Sequence, residues 1–378
     1  MLMADNPKKI LIFSTAYLPF VGGAEIAVKE ITDRLPGVEF DMITARLRRD
    51  LPKQEKVGSV MVYRLGLGVP FLDKQLLPWL GTLKVLTLLR RNEYDFFWGI
   101  MATFASGAAY LANIVRFYKP TPIVLTLQEG VSEKHLRFRW FGLINLSWRL
   151  ALKRTSTVTV ISKYLADRAL RLGFKGKIVV LPNGVDLNLF SFNAEKSFRE
   201  EIRLVTTSRL SYKNGLDLVI KALPFLSPNI TFHIAGSGEE EMPLKSLALK
   251  LGVANRVVWH GLLPYDRLPT FLNTGDIFIR PSRSEGLGNS FLEAMAAGVP
   301  VVAPLVGGIA DFLENKETGF VVEPESPKSI SAVVQYILDH NHQAEVDHVR
   351  QKARVMVEER FAWPAIAENM RTVFTKDY

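Results

Sequence analysis

The sequence predicts an α/β protein built from two doubly wound domains. Strand-like and helix-like stretches alternate along both halves of the chain, the pattern of parallel sheets covered by helices. At 378 residues the chain is longer than one ordinary hydrophobic core fills. Each half also carries a glycine-rich turn between a strand and a helix, at Gly22-Gly23 and at Gly286-Leu287-Gly288.

In the first half, a short apolar run at Lys9 to Ser14 predicts the opening strand. A helix follows from Gly23 to Leu35, then strands near Glu39 to Thr44 and Val60 to Tyr63. Phe96 to Val115 holds twenty residues without a formal charge, which raises the question of a membrane span. Gly99, Thr103, Ser106, Gly107 and Asn113 dilute it, and a buried strand (Phe96 to Met101) followed by a packed helix (Ala105 to Phe117) uses the same residues better. Strands at Ile123 to Leu127, Thr157 to Ile161 and Lys177 to Leu181 close this half. The second half repeats the design. Its strands are expected near Arg203 to Thr207, Ile230 to Ala235, Val257 to His260, Ile277 to Arg280, Val299 to Ala303 and Gly319 to Val322. Its helices are expected near Gly215 to Ala222, Glu239 to Leu251, Tyr265 to Asn273, Ser290 to Ala297 and Pro327 to Asp339. Ligands of such domains bind at the C-terminal strand ends, in this case in a cleft between the two.

Composition narrows the class. With 48% apolar and 22% charged residues the chain is globular rather than disordered. It has no cysteine, which excludes disulfides, a thiolate nucleophile and cysteine-based metal sites, and which suits a reducing cytoplasm. Met1 to Asn6 is polar and Ile10 to Phe13 is too short for the apolar part of a signal peptide. Charge is uneven: residues 1–183 carry 27 Lys and Arg against 14 Asp and Glu, residues 184–378 carry 20 against 24. A basic first half and a mildly acidic second half suggest a different partner for each.

The most informative stretch runs from Ile279 to Glu293, IRPSRSEGLGNSFLE. A strand enters a turn, and a glycine-rich loop opens a helix. Gly286 and Gly288 let backbone approach closely beside exposed helix N–H groups, which makes an anion site. Glu285 sits in the loop and Glu293 about two turns down the helix, where a carboxylate can accept hydrogen bonds from a ribose diol. Diphosphate plus diol means a nucleotide. Two competing nucleotide motifs are missing: there is no Gly-x4-Gly-Lys-Ser/Thr, which excludes a P-loop ATPase, and no Gly-x-Gly-x-x-Gly, which removes the main support for a nicotinamide dehydrogenase. Gly22 and Gly23, after one strand and before a helix, repeat the anion-site argument in the first half. Glu25 in the first helical turn complements the helix dipole.

The stretch resembles the Glu-x7-Glu motif of retaining GT-B glycosyltransferases of the family 4 type (glycosyl transferases group 1). The resemblance extends over nearly the whole chain. Tyr17 to Glu25 (YLPFVGGAE) is similar to that family's acceptor-side glycine loop, and Leu181 to Asp186 (LPNGVD) to its interdomain linker. Ser208-Arg209-Leu210 with Lys213 resembles its phosphate-binding pair, and Gly307-Gly308 and Gly319 to Val322 continue the pattern. Each word is short; their order and spacing carry the weight.

The resemblance implies two Rossmann-like domains facing across a cleft: an acceptor-side domain over 1–183, with a last helix at about 360–378 crossing back to it, and a nucleotide-sugar domain over 184–359. It implies that Arg209 and Lys213 grip the donor diphosphate and stabilise the leaving nucleoside diphosphate, and that Glu285 contacts the transferred sugar. Gly286, Leu287, Gly288 and Asn289 would give backbone contacts, Glu293 would hold the ribose, and Gly22 and Gly23 would face the donor phosphate or sugar. A helix cap for Glu285 and surface positions for the two cations are the structural alternatives. The Asp-x-Asp metal clamp of the other large glycosyltransferase fold is missing, so cations must neutralise the diphosphate, with no cofactor and no required metal.

Two departures from the family pattern stand out. Lys213-Asn214-Gly215 replaces the usual Lys-Gly. At Gln128, in LTLQEG, many members have a histidine that contacts the donor sugar; here none occurs before His135. Gln128 can hydrogen-bond a sugar hydroxyl but has no acid–base role near neutral pH. Glu129 is then either the titratable group on that wall or a residue facing water. A front-face mechanism, in which the leaving phosphate assists the acceptor, needs electrostatic support more than a protein base.

For the acceptor, Glu133 to Arg154 interleaves aromatic and aliphatic residues with Lys134, Arg137, Arg139, Arg149, Lys153 and Arg154, and Pro70 to Arg91 carries Trp79 and an Arg90-Arg91 pair. Basic amphipathic helices of this kind either lie on an anionic membrane surface or pack on their own sheet with a solvated face. The expectation is a hexosyltransferase at the cytoplasmic face of the membrane, acting on a lipid-linked saccharide or glycolipid in cell-surface polysaccharide synthesis. A nucleotide-sugar epimerase or phosphorylase on the same scaffold and a silent sugar-nucleotide-binding module remain open, since fold does not fix chemistry. A nucleic-acid partner rests on positive charge alone and is not expected.

Overall fold

The computed structural model describes residues 7–130, 143–192, 198 and 200–375. The chain divides into two compact units, one reaching Asn183 and resumed from Trp363, the other Gly184–Ala362.

The first unit opens with β1 (Lys8–Phe13), α1 (Gly23–Asp33), β2 (Val38–Ala45), β3 (Gln54–Val57), β4 (Val60–Leu65) and α2 (Pro70–Leu88). It continues through β5 (Phe96–Ile100), α3 (Phe104–Val115), β6 (Ile123–Leu127), α4 (Leu143–Lys153), β7 (Thr157–Val160), α5 (Lys163–Arg171) and β8 (Lys177–Val180). The strands form one sheet in the order β3-β4-β2-β1-β5-β6-β7-β8, parallel except for the β3–β4 pair. One face packs α1 and the last helix of the chain, α12 (Trp363–Thr375), against Ile10, Ile12, Phe96 and Trp98. The other packs α2 and α3 against Leu11, Phe13 and Phe97. The uncharged stretch is therefore a buried strand and a packed helix, and among the described residues no helix is long and apolar enough to cross a membrane.

β3 was not expected. Its residues, QEKV, carry no apolar alternation, and it is held by antiparallel pairing to β4 through the Gly58-Ser59 turn. In the basic segment Glu133 to Arg154, Lys134, Arg137 and Arg139 lie outside the described residues. Trp148 of α4 is buried, so this aromatic residue serves the core, while Arg149 and Leu150 are exposed.

The second unit runs β9 (Ile202–Thr207), α6 (Leu216–Ala222), β10 (Ile230–Ala235), α7 (Glu241–Lys250), β11 (Val257–Gly261), α8 (Leu268–Thr274), β12 (Ile277–Ile279) and α9 (Asn289–Ala296). Then come β13 (Val301–Ala303), β14 (Phe320–Val321), α10 (Pro327–Leu338) and α11 (Gln343–Arg360). Its parallel sheet has the order β11-β10-β9-β12-β13-β14. The predicted helix at Tyr265 to Asn273 begins as a 3-10 turn, Tyr265–Arg267, because Pro269 supplies no amide to an α-helical first turn. α11 was not expected either; its buried residues Val346, Val349, Ala353, Met356 and Val357 are separated by charged ones.

Candidate functional site

In the second unit β10 and β11 lie to one side of β9, while β12, β13 and β14 lie to the other. Strand order therefore reverses between β9 and β12, and at such a switch point the loops leaving the C-terminal strand ends part and open a crevice. The loop after β9 carries Ser208, Arg209 and Lys213. The loop after β12 carries Arg280 to Gly288 and runs into α9.

Arg280 organises that second loop. It is only 5% exposed, yet it closes a wholly apolar strand. One Nη donates to Glu285 Oε2 at 2.9 Å, the other to Ser290 Oγ at 2.7 Å and to the Thr207 carbonyl at 3.3 Å. The guanidinium lies over the Phe291 ring, 4.1 Å from its centroid. Glu285 Oε1 accepts from the Gly286 amide at 3.0 Å, and the Glu285 carbonyl accepts from the Gly308 amide at 3.1 Å. The carboxyl is thus held by Arg280 and the Gly286 amide. It does not cap α9, whose N-cap is Gly288 without a side-chain bond. Gly288 has φ +90°, and a Cβ there would stand 2.8 Å from an Arg280 Nη, so the buried guanidinium and the glycine require each other.

Glu293 is 6% exposed. Burial pushes its carboxyl up to about 7, against the opposing pull of the Arg280 charge and a hydrogen bond from Tyr265. One buried guanidinium is therefore shared by two carboxylates, one hydrogen-bonded to it and one coupled through charge.

The two loops are docked on each other. The Arg283 amide donates to the Lys213 carbonyl at 2.7 Å, and Arg283 Nη1 donates to the Tyr212 carbonyl at 2.8 Å and to Asp217 Oδ1 at 2.8 Å. Arg283 Nε reaches Glu325 at 2.6 Å. The inserted Asn214 is buried and donates to the Arg209 carbonyl at 2.6 Å, so the extra residue braces the turn. Gly215 has φ +69°, and a Cβ would meet the Pro281 carbonyl oxygen at 2.0 Å; only glycine lets the loops touch here. Lys213 is half-buried, whereas the Arg209 side chain is 74% exposed and meets Glu239 at 3.3 Å.

The first unit has a switch point of its own, between β1 and β5. Gly22 is the extended N-cap of α1 and has no side-chain cap. Glu25 stands in the first turn, where burial raises its carboxyl while its own and the Gly22 amides draw it down. Gln128 and Glu129 follow β6 at the same edge of the sheet. Gln128 Oε1 accepts from Asn183 Nδ2 at 3.2 Å. Glu129 is half-buried overall, but its carboxyl is packed in: Oε1 accepts from the Ala102 amide at 3.0 Å and Oε2 from the Gln128 amide at 3.3 Å. Burial pushes it up to about 7, and the water-facing alternative falls away.

The chain matches the family models for glycosyltransferase family 4 over residues 21–189 and for glycosyl transferases group 1 over residues 190–356. The chain belongs to the family 4 glycosyltransferases. It is 29% identical to an uncharacterized glycosyltransferase of Methanocaldococcus jannaschii, with 97% of each chain covered. It is 34% identical to a GDP-mannose-dependent α-(1-6)-phosphatidylinositol monomannoside mannosyltransferase of Mycobacterium tuberculosis, over 50% of this chain and 54% of that one. Its fold is that of HepE from Anabaena, solved with UDP and glucose (TM-score 0.77, 20% identity, 97% and 99% covered). The GT-B architecture of two parallel-sheet α/β domains follows.

In this glycosyltransferase, Arg209, Lys213, Glu285, Gly286, Leu287, Gly288, Asn289 and Glu293 all belong to the β9–β12 switch point of one unit. Gly22, Gly23, Gln128 and Glu129 belong to the sheet of the other. Sequence reasoning passed over Arg280, Arg283 and Tyr265. Arg280 did leave a signal, a charged residue ending an otherwise apolar strand, which is costly unless it is paired. Arg283 and Tyr265 left none, since their partners Asp217, Glu325 and Glu293 are distant in sequence or hidden by the loop's course.

Proposed function

We propose that this glycosyltransferase moves a hexose from a nucleotide-sugar donor to a lipid-linked saccharide or glycolipid, with retention at the anomeric carbon and without a metal. In this reading the nucleoside diphosphate lies across the β9–β12 switch point. Arg209 and Lys213 meet its phosphates, the amides of Gly286 to Asn289 approach the phosphate and sugar, Glu293 accepts from the ribose diol, and Glu285 orients the sugar. The bond from the anomeric carbon to the phosphate oxygen breaks, the acceptor oxygen bonds on the same face, and the acceptor proton passes to the leaving phosphate. Arg209 and Lys213 offset the charge that develops there. Within the first unit, Gly22, Gly23, Gln128 and Glu129 stand at the C-terminal edge of the sheet, where we place the acceptor contacts.

The observation that carries this reading is the buried Arg280–Glu285 pair, with Glu293 coupled to it, beside a loop that offers two cations. Two carboxylates set around one guanidinium make a preorganised, water-poor hydrogen-bonding site for a polyol. The acceptor class is supported by the mycobacterial relative, whose name gives a phosphatidylinositol mannoside as acceptor and GDP-mannose as donor. The Anabaena protein's complex with UDP and glucose supports a uridine donor equally well. A cytoplasmic location, peripheral at the membrane, and a role in cell-surface polysaccharide synthesis follow from such an acceptor.

A thermal-shift panel of UDP-, GDP- and ADP-sugars, followed by incubation of the stabilising donor with a lipid-linked acceptor, tests the proposal. One donor class should raise the melting temperature and lose its sugar to the lipid. A donor that binds but is never consumed would leave a silent binding module, and a panel with no shift would sink the reading.

A further inference from the structure

We propose that the outward face of α2 is a docking surface for an anionic lipid bilayer. The inference deepens the lipid-acceptor reading and rests on it for its purpose, but its physical basis is independent.

α2 is apolar on both sides. Inward, Leu77, Val85 and Leu88 are buried, and a Cβ at Gly81 would stand 2.6 Å from Ala108 Cβ, so the helix lies tight on α3. Outward, Phe71 is 71% exposed, Leu72 46%, Leu76 42%, Trp79 64% and Leu83 64%. At ~100° per residue these five fall within an arc of about 140° on one side of the helix, in which Gln75 is the one exposed polar residue. A water-facing helix carries polar residues there. Scattered exposed leucines need no explanation, but five large apolar side chains on one stripe, with an aromatic at its middle, do.

The charge around the stripe identifies the occupant. From Gly66 to Asn92 the only acidic residue is Asp73, which is buried, its carboxylate accepting from the amides of Leu47, Leu67, Gly68 and Val69. The same segment carries Lys74, Lys84, Arg90 and Arg91; Lys74, Arg90 and Arg91 are exposed. A face that is apolar at its centre and cationic at its margins complements anionic headgroups above acyl chains; the nearest exposed carboxylate in sequence, Glu93, is paired with Lys119 at 2.9 Å. A protein partner would need matching acidic groups at fixed positions, whereas these cations lie at both ends of a nineteen-residue helix. α2 is not long and apolar enough to span, so it would lie in the interfacial plane, with Trp79 at headgroup depth.

Co-sedimentation of the full chain with phosphatidylcholine vesicles, and with mixed phosphatidylcholine–phosphatidylglycerol vesicles, tests the inference. Binding to the anionic vesicles should be at least tenfold tighter than to the neutral ones and should weaken with salt. It should fall at least tenfold in Phe71→Ser/Trp79→Ser and, separately, in Lys74→Glu/Arg90→Glu/Arg91→Glu. Unchanged melting temperatures would show that the variants fold, and unchanged donor-induced shifts would show that the nucleotide-sugar site is untouched. If the wild type ignores both vesicle types, or the variants bind as well as it does, the inference is overturned. Concentration-dependent dimerisation abolished by the Phe71/Trp79 variant would overturn it in favour of self-association. A vesicle result stands whether or not any nucleotide sugar binds, so the two readings fail separately.

Discussion

Arg280 and Glu285 form a 2.9 Å ion pair in which both side chains are nearly sealed from water, 6% and 12% exposed. The pair sits at the end of β12 and holds the glycine loop ahead of α9. Breaking such a pair from one side leaves a buried charge without its partner, at a cost of about 3–5 kcal/mol.

Arg280→Met should therefore lower the unfolding free energy by that order, read from urea denaturation. Arg280→Lys should recover only part, since an ammonium cannot serve Glu285, Ser290 and the Thr207 carbonyl together. Adding Glu285→Gln to Arg280→Met should cost less than the two single changes summed. Additive costs would show that the pair is not coupled.

The stability of the fold should depend on pH through Glu293. Its folded value, about 7, lies above the ordinary 4.5, so the folded state holds the proton more tightly than the unfolded one. Its contribution is then largest at low pH and declines as pH rises through that window. Glu293→Gln keeps the shape and removes the titration. Its melting temperature relative to wild type should climb between about pH 5 and pH 8 and then level. A difference that stays flat with pH would refute the assignment.

If Arg209 and Lys213 meet the donor as proposed, removing either should affect binding and spare the fold. Arg209→Ala changes a largely exposed residue, so stability should move by less than about 0.5 kcal/mol. A charge-assisted bond to phosphate contributes about 1.5–3 kcal/mol, so calorimetric affinity for the donor should drop by roughly ten- to a hundredfold in Arg209→Ala and again in Lys213→Ala. Wild-type affinity in both variants would place the diphosphate elsewhere.

Transfer should survive chelation. If Arg209 and Lys213 offset the leaving diphosphate as proposed, excess EDTA should leave the initial rate within about twofold of the untreated enzyme, a change of less than about 0.5 kcal/mol in the barrier. A rate that collapses and returns with magnesium or manganese would overturn the metal-independent reading.

Much of this architecture is written in local pattern. β6 falls at the residues expected and β5 within one residue of them, because each is a short apolar run buried on both faces of a parallel sheet; β10 also falls where expected, its Phe232 and Ile234 buried while Thr231 and His233 on the opposite face are half-buried. β3 escaped because it contributes backbone hydrogen bonds and little side-chain burial, which no hydrophobic period reports. α11 escaped because Arg350 interrupts its apolar stripe; that guanidinium is buried and donates to the Gly298 carbonyl at 2.6 Å. At the site, the glycine positions and the two carboxylates could be read directly. The clamp on Glu285 could not, since whether a strand-end arginine turns inward depends on Ser290, Phe291 and Thr207 surrounding it.

The last helix has a consequence for how the protein is made. Phe374 of α12 packs at 5.4 Å from the Trp98 ring and 5.9 Å from that of Phe96, deep against the sheet that the earliest residues begin. A ribosome thus releases the amino-terminal unit unfinished and must synthesise the whole second unit, Gly184–Ala362, before the missing wedge arrives. Nascent chains stalled ahead of Trp363 should leave that sheet face open to proteases and holdase chaperones, and a stop codon there would cripple the half of the molecule farthest from it in sequence.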